Sequence, residues 1–171
     1  MAHAGILTEA DRVELIRGEI IEVTSIGRRH AACVEQVTRH LTEALGDRAL
    51  VWSQNPVRLP PDTAPAPDVT ILCPPADQYL RRPASAGHVL WLVEVADVSY
   101  RYDRYVKLPL YARASIPEVW IVDLTNEVVE VHRHPSTRGY GFTETLDRGG
   151  TVSSVAFDHV TFIVATLLPY P

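Results

Sequence analysis

Three side chains in this sequence have the types and spacing to do chemistry together: Asp68, Glu94 and Lys107. Asp68 follows Pro67, behind the stretch Pro60-Pro61-Asp62-Thr63-Ala64-Pro65, which can be neither helix nor central strand. Glu94 interrupts the apolar run Trp91-Leu92-Val93-Glu94-Val95-Ala96, where an ionised carboxylate is costly unless it is paired or bound to a metal. Lys107 stands 13 residues further on (107 − 94) and is the single lysine among 16 basic residues, the other 15 being arginine. Arginine keeps its proton and presents a flat fork, whereas lysine is a compact, tunable point charge. Two carboxylates on neighbouring strands with a lysine close behind make a compact site for Mg2+ (or Mn2+) and a water. Magnesium takes oxygen ligands and keeps several waters, so one or two carboxylates hold it, and the backbone carbonyl of Val95 could add a third oxygen. Such a metal lowers the pKa of a bound water and offsets charge on a phosphodiester. Lys107 would orient that water or stabilise the developing charge. The same residues also fit a plainer arrangement, a buried Glu94–Lys107 ion pair tying a helix to a sheet. Asp68 could likewise be a turn residue, and Asp103, four before Lys107, an N-cap or a surface salt bridge.

The elements that must position these residues follow from hydrophobic periodicity. Residues 12–24 read as a hairpin, with Val13 and Leu15 alternating with Glu14 and Ile16, and Arg17-Gly18 as its turn. After a loop over 25–29, the apolar positions Ala31, Val34, Val37, Leu41 and Leu45 recur at three and four, which predicts an amphipathic helix from about His30 to Leu45, ended by Gly46. A strand is expected over 50–59, with Pro56 marking an edge or bulge, and a short apolar one over 69–73 that Pro74-Pro75 stops. Residues 77–87 read as a loop or short helix, and 88–95 as a buried strand. A helical pattern covers 100–114, with Pro109 placing the regular helix late. A buried strand over 119–124 then turns at Thr125-Asn126 into an antiparallel neighbour. The glycine-rich stretch 138–150 reads as a mobile hairpin, and 151–171 as a last strand and a closing segment. The order predicts an α/β or α+β fold with a mixed central β-sheet flanked by helices and an N-terminal β-hairpin.

A chain of 171 residues, 46% hydrophobic, fits one domain (1–171, with its core over about 13–168). The net charge of −5 argues against a general nucleic-acid coat protein, without excluding a local basic groove. No apolar run reaches the ~18 residues of a membrane span, and the acidic N-terminal stretch does not read as a secretory signal. Cytoplasmic is therefore the default location. Cys33 and Cys73 read as free thiols.

Beyond these physical signals, five segments carry a resemblance. They are Glu14-Leu15-Ile16-Arg17-Gly18-Glu19-Ile20, Pro67-Asp68-Val69, Leu92-Val93-Glu94-Val95, Asp103-Arg104-Tyr105-Val106-Lys107, and the run from Tyr111-Ala112-Arg113-Ala114 to Glu118-Val119-Trp120-Ile121-Val122-Asp123. Together they resemble the Uma-type family of putative restriction endonucleases, which has a PD-(D/E)XK nuclease-like, restriction-endonuclease-like core. The resemblance implies a metal-dependent hydrolase acting on DNA, with Asp68 and Glu94 as the metal-binding acids. Ala96 stands where the motif's lysine would be, and the family's relocation of that lysine to the helix is consistent with Lys107. Glu19 and His30 match positions near the family's site, Glu19 as a further acid, and with Asp103 they are candidates for supporting roles. The chain departs from the family at Asp97-Val98-Ser99, where Ser-Pro-Ser is usual, and Asp97 is either an added ligand or exposed. A homodimer is compatible with the resemblance, because many nucleases of this fold cut duplex DNA in pairs.

Arg28, Arg29, Arg101 and Arg104 flank the proposed site in sequence and could meet phosphates; solvated surface charge is the equally ordinary alternative. Tyr100, Tyr102 and Tyr105 could line that groove or simply pack. His132 and His134 alternate on a strand but lack a third zinc ligand at suitable spacing. Two functions of different kinds follow: a Mg2+- or Mn2+-dependent endonuclease hydrolysing DNA phosphodiester bonds, or a non-catalytic interaction scaffold that keeps the nuclease fold.

Overall fold

The computed structural model describes residues 13–22 and 27–169. The outer residues of the expected hairpin, part of the following loop and the last two residues of the closing segment lie outside these. Strands β1 (Val13–Ile16) and β2 (Glu19–Glu22) form the N-terminal hairpin. Its turn holds Arg17 and Gly18 at φ of 52° and 81°, the left-handed geometry a two-residue hairpin loop requires. Glu14 and Ile16 are buried, while Leu15 and its cross-strand partner Ile20 are exposed.

Helix α1 (Arg28–Leu45) begins two residues earlier than its periodicity indicates and stops at Gly46, whose φ of 53° suits a glycine. It buries Cys33, Val34, Val37, Leu41 and Leu45, whereas Ala31 lies exposed. The periodic stripe therefore runs through Cys33 in its first turns.

The core sheet has the order β3-β4-β5-β6-β7-β8. Its strands are β3 (Leu50–Ser53), β4 (Val69–Leu72), β5 (Val89–Ala96), β6 (Glu118–Asp123), β7 (Val128–Ser136) and β8 (Gly139–Leu146). Only β5 and β6 are parallel, so the sheet is mixed. Strand β3 ends at Ser53, short of the expected 59, because Gln54 turns at φ of 54° and Pro56 cannot donate to a ladder. The glycine-rich stretch after Arg138 supplies β8, the second arm of a hairpin with β7 at the edge of the sheet, and a turn after Leu146. A second small sheet joins β9 (Thr151–Ser154) to β10 (Phe157–Ile163), and α4 (Val164–Leu167) closes the chain against α1.

Alternation along the strands sorts the core into two layers. Val69, Ile71, Trp91, Val93, Val95, Trp120, Val129 and Val131 face α1 and α4, with Trp91 and Trp120 fully buried at 5.7 Å between ring centroids. Leu72, Leu92, Ala96, Val119 and Ile121 face the connection from β5 to β6. That connection runs α2 (Tyr100–Tyr102), a π-helical turn (Asp103–Lys107) and α3 (Leu108–Arg113), with Pro109 in the first turn of α3. A parallel strand pair needs such a crossover. Here the crossover also carries the lysine. Among the described residues, no helix is long and apolar enough to cross a membrane.

Candidate functional site

Antiparallel pairing of β4 with β5 sets Val69 opposite Val93, which brings Asp68 beside Glu94. Asp68 is fixed from two sides: its Oδ2 accepts the Val95 N–H at 2.8 Å and lies 3.1 Å from Nε2 of His30 in the first turn of α1. The Asp68 N–H points back to Glu94 Oε2 at 3.4 Å. Glu94 lies on the face covered by the crossover helices and is buried. Its Oε1 meets Lys107 Nζ at 2.7 Å and accepts the Tyr111 hydroxyl.

The π-turn buries two charged residues. Asp103 and Lys107, four apart, lie on one flank of it that faces Glu94. Asp103 is neither an N-cap nor a surface residue. It is buried, accepts Ser99 Oγ at 2.6 Å and stands 3.8 Å from Lys107.

Sequence reasoning missed a fourth acid, Glu14. Its carboxylate lies 3.3 Å from Lys107 Nζ, accepts the Ala66 N–H at 2.9 Å and accepts the Tyr102 hydroxyl at 3.2 Å. Glu19, the hairpin acid carried over from the resemblance, is exposed and paired with Ile16 across the hairpin. Nothing in the alternation Val-Glu-Leu-Ile signals that the charged face turns inward. Tyr111 was also missed, although its place four after Lys107 puts it on the same side of a helix.

Four carboxylates, those of Glu14, Asp68, Glu94 and Asp103, thus share one cluster with one ammonium and one imidazole. Burial pushes Glu94 up to about 8, with Asp103 and Asp68 adding to it and Lys107 pulling against it. Burial also raises Asp103 and Tyr111. For Lys107 burial acts downward, but the charges of Glu94, Glu14, Asp103 and Asp68 more than offset it and hold the ammonium charged. His30 is raised likewise, burial being outweighed by the hydrogen bond and charge of Asp68. Both members of the Glu94–Lys107 pair rise because negative charge is in surplus around them.

That surplus, made wholly of oxygen donors apart from His30, suits a hard divalent cation. Among the described residues no group of three or more histidine, cysteine or carboxylate side chains is arranged to hold a metal ion. Magnesium does not need such a group, since it retains its waters. Among the described residues no donor reaches Asp68 Oδ1, and Glu94 Oε2 receives only the long Asp68 N–H, so both oxygens keep acceptor capacity. The Val95 N–H donates to Asp68 Oδ2, so the backbone of Val95 borders the site. Asp97 is half-buried beside Gly27, where its carboxylate charge also reaches His30.

The four flanking arginines divide. Arg28 and Arg101 are exposed, as a phosphate contact would need. Arg29 pairs with Glu127 at 3.7 Å, and Arg104 is turned inward to Glu130 at 3.2 Å. Tyr105 is exposed, while Tyr100 and Tyr102 spend their hydroxyls on Glu130 and Glu14. His132 is buried against Glu130 and His134 is exposed at φ of 60°, so the two do not converge on a metal. Cys33 and Cys73 are free thiols.

A crystal structure of a putative nuclease from Anabaena variabilis is similar to this chain, with a TM-score of 0.73 over 96% of this chain and 94% of that one. At 15% identity the likeness shows the fold alone. No curated protein matches. A family model described as putative restriction endonuclease matches residues 4–165, nearly the whole length, and the chain belongs to that family, Uma2.

Proposed function

We propose that this protein is a Mg2+- or Mn2+-dependent endonuclease of the PD-(D/E)XK type that hydrolyses DNA phosphodiester bonds at the pocket of Asp68, Glu94 and Lys107. The observation that carries the reading is the negative surplus at the β4–β5 junction, four carboxylates around a single lysine. Structural ion pairs tend toward balance, whereas perturbed acids gathered in one pocket point to function. Asp68 and Glu94 would hold the metal, which when bound supplies an activated water and neutralises charge on the phosphate.

The chain's own residues do the rest. Val95 N–H and His30 fix the Asp68 carboxylate through Oδ2, so that Oδ1 is presented in one orientation. Tyr111 and Lys107 fix Glu94 through Oε1 in the same way. The Lys107 ammonium, kept charged by its neighbours, offsets negative charge that grows on the phosphate as water attacks in line with the departing ester oxygen. Arg28 and Arg101 flank the site and take adjoining phosphates.

The test is nicking of supercoiled plasmid with magnesium or manganese, wild type against Glu94→Ala. Metal-dependent nicking that vanishes in the variant is expected; equal activity in both would assign the cleavage to a contaminant.

A second reading is favoured by one observation, the buried Glu94–Lys107 contact of 2.7 Å. A scaffold that kept the nuclease fold would retain that pair to hold the crossover helices to the sheet. Lys107→Met separates the two, because a scaffold loses stability and has no cleavage to lose. Abolished cleavage with unchanged stability would remove the scaffold reading.

A further inference from the structure

On the same face of the sheet lies a second polar cluster that the proposed chemistry does not use. Register places Glu94 opposite Ile121 and Ile121 opposite Glu130, so the two glutamates share one cross-strand row, roughly 10 Å apart at ordinary strand spacing. Glu130 is buried and fully engaged. Its Oε1 accepts the Tyr100 hydroxyl at 2.5 Å, and its Oε2 meets Arg104 Nε at 3.2 Å and His132 Nε2 at 3.0 Å. The other ring nitrogen of His132 is held by Thr143 of β8 at 3.1 Å, so Glu130 is braced from the sheet side.

Tyr100 and Arg104 are four apart and share one flank of the crossover segment, while Asp103 and Lys107 share the adjoining flank. A π-turn holds one residue more than an α-helix would use over the same span, and such turns occur mostly at functional sites. Losing that extra residue would rotate everything beyond it by about 100°, the α-helical step. Such a rotation would swing Lys107 away from Glu94. The one carboxylate of Glu130 grips the segment at the last turn before the π-winding and again inside it.

We infer that Glu130 is the positioning residue for Lys107: by holding Tyr100 and Arg104, it keeps the π-turn wound and so delivers the only lysine to Glu94. The catalytic meaning of that delivery rests on the proposed nuclease reading, but the delivery itself can be measured apart from any activity. Lys107 supplies the only side-chain amine, and it is buried. Its reaction with an N-hydroxysuccinimide acetate ester, resolved from the N-terminal amine by mass spectrometry, reports whether it remains in the pocket.

The variants are Arg104→Met and Glu130→Gln, with Arg133→Met as the control. Arg133 holds Glu118 at 3.0 Å on the opposite face, so its loss weakens a buried pair without touching the crossover. Labelling is done well below each variant's melting temperature. Lys107 should be labelled about 10-fold faster in both Glu130-side variants, through local opening, and at the wild-type rate in Arg133→Met. Unchanged labelling in Arg104→Met and Glu130→Gln, or an equal rise in the control, would overturn the inference. Plasmid nicking by the same proteins separates the two proposals. A wild type that does not nick counts against the nuclease reading, while the labelling rates still decide the positioning role.

Discussion

Glu94 and Glu130 stand in one row of one sheet, on the same face and under the same helical segment, yet their carboxyls are driven in opposite directions. Glu130 is held below the usual carboxylate range: burial alone would raise it, but hydrogen bonds from His132 and Tyr100 and the charges of His132 and Arg104 outweigh that. Glu94 is raised, burial and neighbouring acids outweighing its single lysine. The first cluster is balanced and the second is short of positive charge. Burial by itself therefore says little about function; the imbalance of what surrounds a buried charge says more.

The largest effect expected from this contrast is on activity. Glu94→Ala or Asp68→Asn should lower metal-dependent plasmid nicking by about 100-fold or more, in the range seen when a group acting on transition-state charge is removed. Arg28→Ala should reduce binding to a short duplex and flatten its salt dependence, while leaving manganese affinity by calorimetry unchanged.

Next in size is an opposition in stability. Glu130→Ala strands Tyr100, Arg104 and His132 and should cost ~2 kcal/mol in urea denaturation, the scale of hydrogen bonds to a charged partner. Glu94→Gln removes one of several competing acids while Glu14 and Asp103 remain with Lys107, and should leave the metal-free protein equally or more stable. Loss of stability of the same size in both would erase the distinction between the clusters.

A pH series sharpens the comparison further. Because Glu94 is raised in the folded protein, its contribution to stability is present in full below the ordinary carboxylate range. That contribution is lost as pH rises toward and through about 8. Manganese binding needs the ionised form, so the rise in melting temperature on adding manganese should grow from pH 5 to pH 8. The Glu130 cluster runs the other way. Its contribution is present above the ordinary carboxylate range and fades as pH falls below it. A manganese shift independent of pH would detach Glu94 from the metal. The smallest effect belongs to the exposed pair of Arg148 and Glu127, where Glu127→Gln should leave the urea midpoint unmoved.

Much of this arrangement could be read from residue order. A carboxylate inside an apolar run must be paired, and Pro67 forces the chain to deliver Asp68 at the start of a strand, so both acids announced themselves. The sole lysine did the same by composition. Glu14 did not, since a strand reading Val-Glu-Leu-Ile normally turns its apolar residues inward, and only the cluster around Lys107 reverses that choice. The role of Arg104 was hidden for a related reason. A flanking arginine looks like a phosphate contact until tertiary structure brings Glu130 beneath it. The π-turn was equally silent, because the four-residue spacings it creates are also those of an ordinary helix. The strand over 50–59 was drawn too long because the apolar residues continue past Pro56 while the ladder does not.

The crossover between β5 and β6 has a consequence for how the site comes together. Tyr111 reaches Glu94 across only 17 residues of chain, whereas Tyr102 meets Glu14 across 88. Loop closure costs less for the nearer contact. The lysine-bearing half can therefore form as a local strand–helix–strand unit, and the hairpin acid joins when the chain ends are gathered in. Within that unit Glu94 and Asp103 already outnumber Lys107, and the arrival of Glu14 deepens the negative surplus as the last step of assembly.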